Sequence, residues 1–297
     1  MKISMKGLSN VEEFRMLLRV LVNGERVEIN QGIIELAKLN KVLLHVLRVV
    51  NYEGELRWGG QENGLRRVIN VVSEVEDALN GIEHAFIKLI KPVVYVPADV
   101  DVLVRRDQVL LAAARLIRRG YRLLLYEPYT ITLVKDGINV DLYVHPSVAD
   151  LIYARGGEDF LRLKTVGEYH GVKVSTIDRS AEVVLTILHA LYKEGIITLN
   201  DALTIINWLS DDAVNLCEQL RCGRAMELAL SIVLSSIAGS LVLPYKLSMG
   251  LWSMNLLMRV LGYGEYAPPS VFMGGIRRIG DSRSMTQLIN RIIRISY

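Results

Sequence analysis

Two carboxylates stand two residues apart in a stretch that is otherwise apolar, Pro97-Ala-Asp-Val-Asp-Val-Leu-Val104. In a strand, residues i and i+2 point to the same face, so Asp99 and Asp101 project together while Val100, Val102 and Val104 line the other face. Ionised carboxylates side by side repel each other, and the repulsion is costly wherever water is excluded. A divalent cation held between them relieves it. A sheet face open to solvent would accommodate the same tripeptide as plain polarity, and the tripeptide alone leaves both readings open.

A third acid follows at a suggestive place. Asp141 lies in Ile138-Asn-Val-Asp-Leu-Tyr-Val144, flanked by Val140 and Leu142, so it too is an acid on an apolar strand. Asn139 and Tyr143 share its face, with His145 beyond. Three acids on nearby strands of one sheet could converge on a two-metal site, with cations about 3.5–4 Å apart bridging phosphate oxygens. Asp141 therefore tips the acidic pair toward metal binding.

An Asp-x-Asp strand, then a helix, then a lone Asp in a hairpin strand resembles the DNA polymerase beta-type nucleotidyltransferase superfamily. More narrowly, the chain is similar to an uncharacterised nucleotidyltransferase-like group related to abortive-infection toxins. The resemblance covers roughly residues 82–205. It implies a metal-binding pair in Asp99 and Asp101, and in Asp141 a third metal-binding acid that helps activate the acceptor hydroxyl. It implies Mg2+ (or Mn2+) as cofactor, a nucleoside triphosphate as substrate, and an acceptor on a protein, a tRNA or a small molecule. The toxin relatives imply an antitoxin partner.

The superfamily places Gly-Ser or Gly-Gly about nine to thirteen residues before the acidic pair, where backbone N–H groups hold phosphates. Here that position reads Phe86-Ile-Lys-Leu89, without such a turn. Lys88 stands in its place, as a lysine often does in the narrower group, and can meet a triphosphate as a point charge. The departure keeps a second function in view, a catalytically inactive nucleotide-binding module on the same fold. A metal-dependent phosphodiesterase is a third. Downstream, a helix opening at Ser180-Ala-Glu182 runs through His189 and Lys193, and Asp201 starts the next helix. The narrower group shows the same His-then-Asp order. His189 could contact a nucleotide or be a histidine bonded between helices. Asp201 could equally be an acid favoured by the helix dipole.

The elements that must position these residues are legible from periodicity and punctuation. Ser9-Asn-Val-Glu12 reads as a capping box, a second helix is expected from about Asn30 to Val50, and a third from Asn63 to Asn80. Strands are expected at His84–Ile90, Val93–Val104 and Tyr121–Tyr126. Lys135-Asp136-Gly137 joins a hairpin of Tyr129–Val134 and Ile138–Val144. A helix from Arg106 to Arg119 backs them, and Val172–Ile177 reads as an edge strand. Helices follow at about 180–194, 200–209, 211–222, 224–241 and 248–261, with a Gly-, Pro- and Arg-rich tail from Gly262. The expected fold class is α+β, a small mixed sheet with a nucleotidyltransferase-type core, flanked by N-terminal helices and a C-terminal helical bundle. The expected domains are 1–81 (helical), 82–178 (core) and 179–297 (helical, with the tail).

Composition bounds the rest. With 297 residues, 51% hydrophobic and 23% charged, the chain is long enough for a substantial core and far from disorder. A net charge of +3 does not by itself imply nucleic acid. Arg105, Arg106, Arg115, Arg118, Arg119 and Arg122 are clustered, and could meet phosphate or form a solvated face. Cys217 and Cys222, five apart, would lie on different faces of a continuous helix, so neither a disulfide nor a zinc site is expected. The N-terminus reads without a signal peptide, and the expected location is the cytoplasm. Leu228 to Leu243 carries no charge, but it is shorter than a spanning helix and contains four serines, so a buried bundle helix is expected and no membrane span.

Overall fold

Apolar residues recur at helical spacing through the first eighty residues, and the computed structural model, which describes residues 5–148, 151–154, 156–248 and 250, accordingly begins with helices. These are α1 (Met5–Asn23), α2 (Gln31–Leu39), α3 (Leu43–Val49) and α4 (Asn63–Ala78), the last entered through a π-helical segment at Leu56–Glu62. Because α1 already starts at Met5, Ser9 is inside the helix and not at a capping position, which requires non-helical backbone. The single helix expected from Asn30 to Val50 is two helices. At the break, buried Asn40 donates to Leu36 O and Leu243 O (3.0 and 2.8 Å) and accepts from Leu199 N (2.9 Å), while Lys41 adopts φ +57°. These long-range bonds outweigh local helix propensity.

The sheet is built from β1 (His84–Ile87), β2 (Asp99–Val104), β3 (Arg122–Tyr126), β4 (Thr130–Lys135), β5 (Ile138–Tyr143), β8 (Lys164–Tyr169) and β9 (Val172–Ile177). Between β5 and β8 lie a two-residue pair, β6 (Ser147–Val148) and β7 (Leu151–Ile152), and a short helix α6 (Gly157–Arg162); α5 (Val109–Arg118) connects β2 to β3. The strand order is β3-β4-β5-β2-β1-β9-β8. The β2–β5 and β1–β9 pairs are parallel and the others antiparallel, so the sheet is mixed.

The hairpin turn is Asp136-Gly137, with φ +52° and +77°, the positive values that a two-residue turn of the primed type requires. Both long strands expected before α5 are shorter. β1 ends at Ile87 because Lys88 takes φ +58°, and β2 starts only at Asp99 because the preceding segment, which contains Pro97, is held by side-chain bonds instead of a ladder. Val172–Ile177 is an interior strand and not an edge. The edge is β8, whose Lys164-Thr-Val-Gly-Glu-Tyr169 is mostly exposed and gives no apolar alternation to read.

Two cores cover the two faces. Val100, Val102 and Val104 join Val140, Leu142 and the apolar stripes of α4 and α5. On the other face, Leu103, Tyr143 and Ile87 join α1–α3 and the C-terminal helices in one continuous core. Those helices are α7 (Arg179–Leu188), extended by a π-helical segment at His189–Glu194, α8 (Leu199–Trp208), α9 (Asp211–Gln219) and α10 (Gly223–Ile237); β10 (Ile196–Ile197) and β11 (Tyr245–Lys246) pair between them.

Contrary to the spacing argument, Cys217 and Cys222 form a disulfide. Helix α9 ends at Gln219, and Arg221 turns with φ +57°, so the cysteines are not on one continuous helix and their Cα atoms come within 4.9 Å. The pair therefore lends no support to a reducing compartment. Among the described residues no helix is long and apolar enough to cross a membrane. The helix expected at 248–261 and the tail from Gly262 lie outside the described residues.

Candidate functional site

Strand register does what the sequence spacing promised. In the parallel β2–β5 pair, Asp101 stands directly opposite Asp141 and Asp99 opposite Asn139. One carboxylate oxygen from each of Asp99, Asp101 and Asp141 lies within 4.8 Å of the others. Asp101 is only 4% exposed. Its Oδ2 pairs with Lys88 Nζ at 2.5 Å, and its buried Oδ1 has no hydrogen-bond partner among the described residues. Asp141 is better supplied, accepting from Thr132 Oγ1 on the adjoining strand (2.6 Å) and from Tyr143 OH (3.2 Å).

The electrostatics are those of crowded acids with too few counter-charges. Asp101's charge, and then burial, lifts Asp99 above the ordinary aspartate value. Burial, and then Asp101's charge, lifts Asp141 to about 6 against the opposing Thr132 bond. Burial works to raise Asp101 as well, but Lys88, and behind it Lys193, hold it below the usual carboxylate value. An all-oxygen donor set of three carboxylates, one with a buried uncommitted oxygen, fits a hard divalent cation such as Mg2+ or Mn2+.

Lys88 is positioned from two sides. Its backbone is in the left-handed region, uncommon for a residue with a side chain. Glu182 Oε2 of α7 accepts its N–H at 2.9 Å, and Tyr95 OH donates to its carbonyl. The other Glu182 oxygen pairs with buried Lys91 at 2.7 Å, and Lys91 also donates to Thr186 Oγ1 at 2.7 Å. Lys88, Asp99 and Asp101 open onto a cavity of about 800 Å3. Lys38 and Lys41 from the end of α2, and His189, Lys193 and Glu194 from the π-helical segment, line it as well.

In that segment His189 Nε2 lies 3.2 Å from Glu194 Oε1, five residues on, as the i→i+5 ladder of a π-helix allows. Burial, and then the Lys88 charge, depress His189 to about 3 despite Glu194. Burial and Lys88 likewise depress Lys193, which lies about 6 Å from the ring centroids of Tyr143 and Tyr153.

The structure thus brings Lys88, Asp99, Asp101, Asp141 and His189 into one neighbourhood. Asp201 lines the same cavity, but its carboxylate closes a capping box with Thr198, accepting its N–H at 2.9 Å. Others fall outside that neighbourhood. His145 Nδ1 accepts from Gly157 N (3.2 Å) and is not among the clustered acids. Gly157 is needed for close approach, since a Cβ there would meet Val144 O at 2.1 Å. Arg115 donates to Asn80 O (2.6 Å) and Arg119 pairs with Asp77 (2.7 Å), and none of the α5 arginines lines the cavity. Sequence reasoning passed over Glu182, although an acid in a helix buried along Ala181–Leu188 was itself a signal. Tyr95, Lys38 and Lys41 gave none.

The structure is thus a mixed sheet carrying the Asp-x-Asp strand, with the third acid in register beside it and helices over that face. No family model matches the sequence, and no curated protein matches it. Several solved structures are similar over part of the chain. The adenylyl-2"-tobramycin complex of ANT(2")-Ia is 12% identical, with 56% of this chain and 96% of that chain covered and a TM-score of 0.34. An antigenic nucleotidyltransferase-like protein from Paracoccidioides brasiliensis is 15% identical, with 65% and 98% covered and a TM-score of 0.35. The lincomycin-bound lincosamide antibiotic adenylyltransferase LnuA is 13% identical, with 50% and 95% covered and a TM-score of 0.31.

Proposed function

We propose that this protein is a metal-dependent nucleotidyltransferase that moves a nucleoside monophosphate from a nucleoside triphosphate to a hydroxyl acceptor. The observation that carries the reading is the convergence of the Asp99, Asp101 and Asp141 carboxylates, within 4.8 Å of one another. Asp99, Asp101 and Asp141 would hold the cations, and Lys88 would meet the phosphates. Bound divalent cations supply charge neutralisation at the phosphoryl oxygens and lower the pKa of a coordinated hydroxyl.

The acceptor oxygen attacks the α-phosphorus, a new O–P bond forms, the α–β anhydride bond breaks, and pyrophosphate departs. Asp141, opposite Asp101 in the strand register, would assist deprotonation of the acceptor hydroxyl and pass its proton on to solvent. Lys88 balances charge on the departing phosphates as a point cation. The acceptor belongs to a protein, a tRNA or a small molecule, and a toxin role with a neighbouring antitoxin is one form this activity would take.

A second reading is an inactive nucleotide-binding module. It is favoured by the absence of a Gly-Ser turn before the acids and by the direct Lys88–Asp101 pair, which a metal must share. The test is incubation with each α-labelled nucleoside triphosphate, Mg2+ and cell extract, using wild type and Asp101→Asn. Label should enter one class of acceptor with the wild type and be lost in the variant, while circular dichroism shows an unchanged fold. Equal labelling by the variant overturns the site. Tight Mg2+-dependent nucleotide binding with neither labelling nor pyrophosphate release identifies the module.

A further inference from the structure

The seven-stranded sheet ends in two unlike edges. β8 carries Lys164, Thr165 and Glu168, the polar and charged side chains that keep an edge strand from pairing with another molecule. β3, at the other end, reads Arg122-Leu-Leu-Leu-Tyr126, and all five residues are exposed, Tyr126 at 65%. Among the described residues the outer side of its backbone pairs with no strand. An exposed apolar edge is a ready template for strand addition.

The apolar surface continues from β3 onto α5. The β3–β4 register shifts at a bulge between Leu123 and Leu125, which sets Leu123 opposite Leu133 and Tyr126 opposite Ile131. Leu133 and Ile131 belong to the core beneath α5, and directly paired residues share a face. Leu123 and Tyr126 therefore both stand on the α5 side of the sheet. On α5 itself, Arg115 and Arg119 reach Asn80 and Asp77 around the end of α4. Helical spacing puts Leu110, Ala114 and Ile117 on the flank turned away from α4. Because α4 packs on β9 and β2, and α5 on β5 and β4, that flank faces the β3 edge. Leu110 is 62% and Ile117 48% exposed there. With the three leucines and the tyrosine of β3, they leave roughly 600 Å2 of apolar surface along one edge, as much as the largest patch of an ordinary monomer.

We propose that two copies of this chain form a two-fold dimer, their β3 strands paired antiparallel and their α5 flanks meeting over the join. Two such patches together bury about 1,200 Å2, the area at which specific stable interfaces begin, and the strand pair adds main-chain hydrogen bonds. A second copy fits because an antiparallel pair of identical edges is self-complementary, each offering the other the same unpaired backbone row and the same apolar flank. The dimer stands or falls independently of nucleotidyl transfer.

Sedimentation velocity of the full chain, from low micromolar to a hundredfold higher concentration, tests this. A species of twice the 33.4 kDa chain mass should grow in with concentration. Leu124→Lys and Ile117→Lys should each weaken dimerisation by about tenfold or more, since each places two charges in the join. Val166→Lys on β8, where the side chain is 74% exposed, should dimerise as wild type does. Circular dichroism should be unchanged in all three variants, whose substituted residues are exposed. Hydrogen exchange of wild type needs no variant: the amides of Arg122–Tyr126 should slow as concentration rises, and those of β8 should not. A chain that stays monomeric throughout, whether residues 251–297 or a different protein covers the patch, overturns the dimer. A dimer left intact by both Leu124→Lys and Ile117→Lys, or exchange in β3 that ignores concentration, overturns it equally.

Discussion

Lys88 meets Asp101 with Nζ 2.5 Å from Oδ2, and the backbone that delivers the lysine is held at its N–H by Glu182 and at its carbonyl by Tyr95. The pair is therefore not a chance meeting of two flexible chains. Both side chains are buried, and the lysine supplies part of the positive charge that three crowded acids require. The other acids remain undercompensated, which is why Asp99 and Asp141 are both lifted above the ordinary aspartate value. On the proposed reading, a bound cation would supply the remaining positive charge.

Removing the lysine should expose that need directly. Lys88→Met leaves Asp101 buried and without its counter-ion, a change that costs about 3–5 kcal/mol in comparable buried pairs. Because a divalent cation would answer the same charge, Mg2+ should raise the thermal midpoint of Lys88→Met more than that of wild type. Thermal unfolding with EDTA or with millimolar Mg2+ checks this. Equal Mg2+ effects in the two proteins would show that no cation reaches Asp101.

Protons and metal should compete at Asp141. With its value near 6, the group is ionised at pH 7.5 and largely protonated at pH 5. Metal ligands must be deprotonated, so affinity should be level above about pH 6.5 and weaken by roughly tenfold per unit below about 6. Asp141→Asn should bind more weakly throughout and lose this pH dependence. Electron paramagnetic resonance of free Mn2+ measures it, and a flat wild-type affinity between pH 5 and 7.5 would remove Asp141 from the metal set.

What was legible in the sequence, and what was not, follows the range of the interactions. Asp99, Asp101 and Asp141 could be read because acids at period two in apolar strands are a local signal, and strand pairing then set them in register. Lys88 was readable by position, but not its dependence on Glu182, 94 residues away, which no local pattern encodes. The break in the second helix, where Asn40 bonds Leu199 and Leu243, is likewise a long-range result. The edge strand β8 escaped because both its faces are mostly open and nothing alternates. The disulfide escaped because a helix was extended past its true end at Gln219.

Glu182 and Lys91 should behave as an interdependent pair. Both side chains are about 5–6% exposed, and Lys91 Nζ takes one Glu182 oxygen while Lys88 N takes the other. Glu182→Gln keeps an acceptor but strands the Lys91 charge, and should cost on the order of 3 kcal/mol. Adding Lys91→Met removes the stranded charge, so the double variant should recover most of that loss. Urea denaturation of the four proteins gives the coupling. Strictly additive losses would mean the two charges do not depend on each other.

His189 should make the protein acid-sensitive in a definite direction. Its folded value is about 3, below the ordinary 6.5, because burial and then Lys88 oppose its charge. The folded chain therefore keeps it neutral while the unfolded chain takes up a proton, so its contribution is intact above about pH 6.5 and is lost as pH falls toward 3. At pH 4.5 the loss should be on the order of 2–3 kcal/mol, two units at about 1.4 kcal/mol each. His189→Gln retains an N–H donor for Glu194 but cannot take up a proton. Urea denaturation in EDTA at pH 7.5 and 4.5 should show a smaller loss in the variant than in wild type, and comparing the two differences cancels the titration of the other groups. Equal losses in both proteins would mean that His189 becomes protonated in the fold, and the depression assigned to burial beside Lys88 would be wrong.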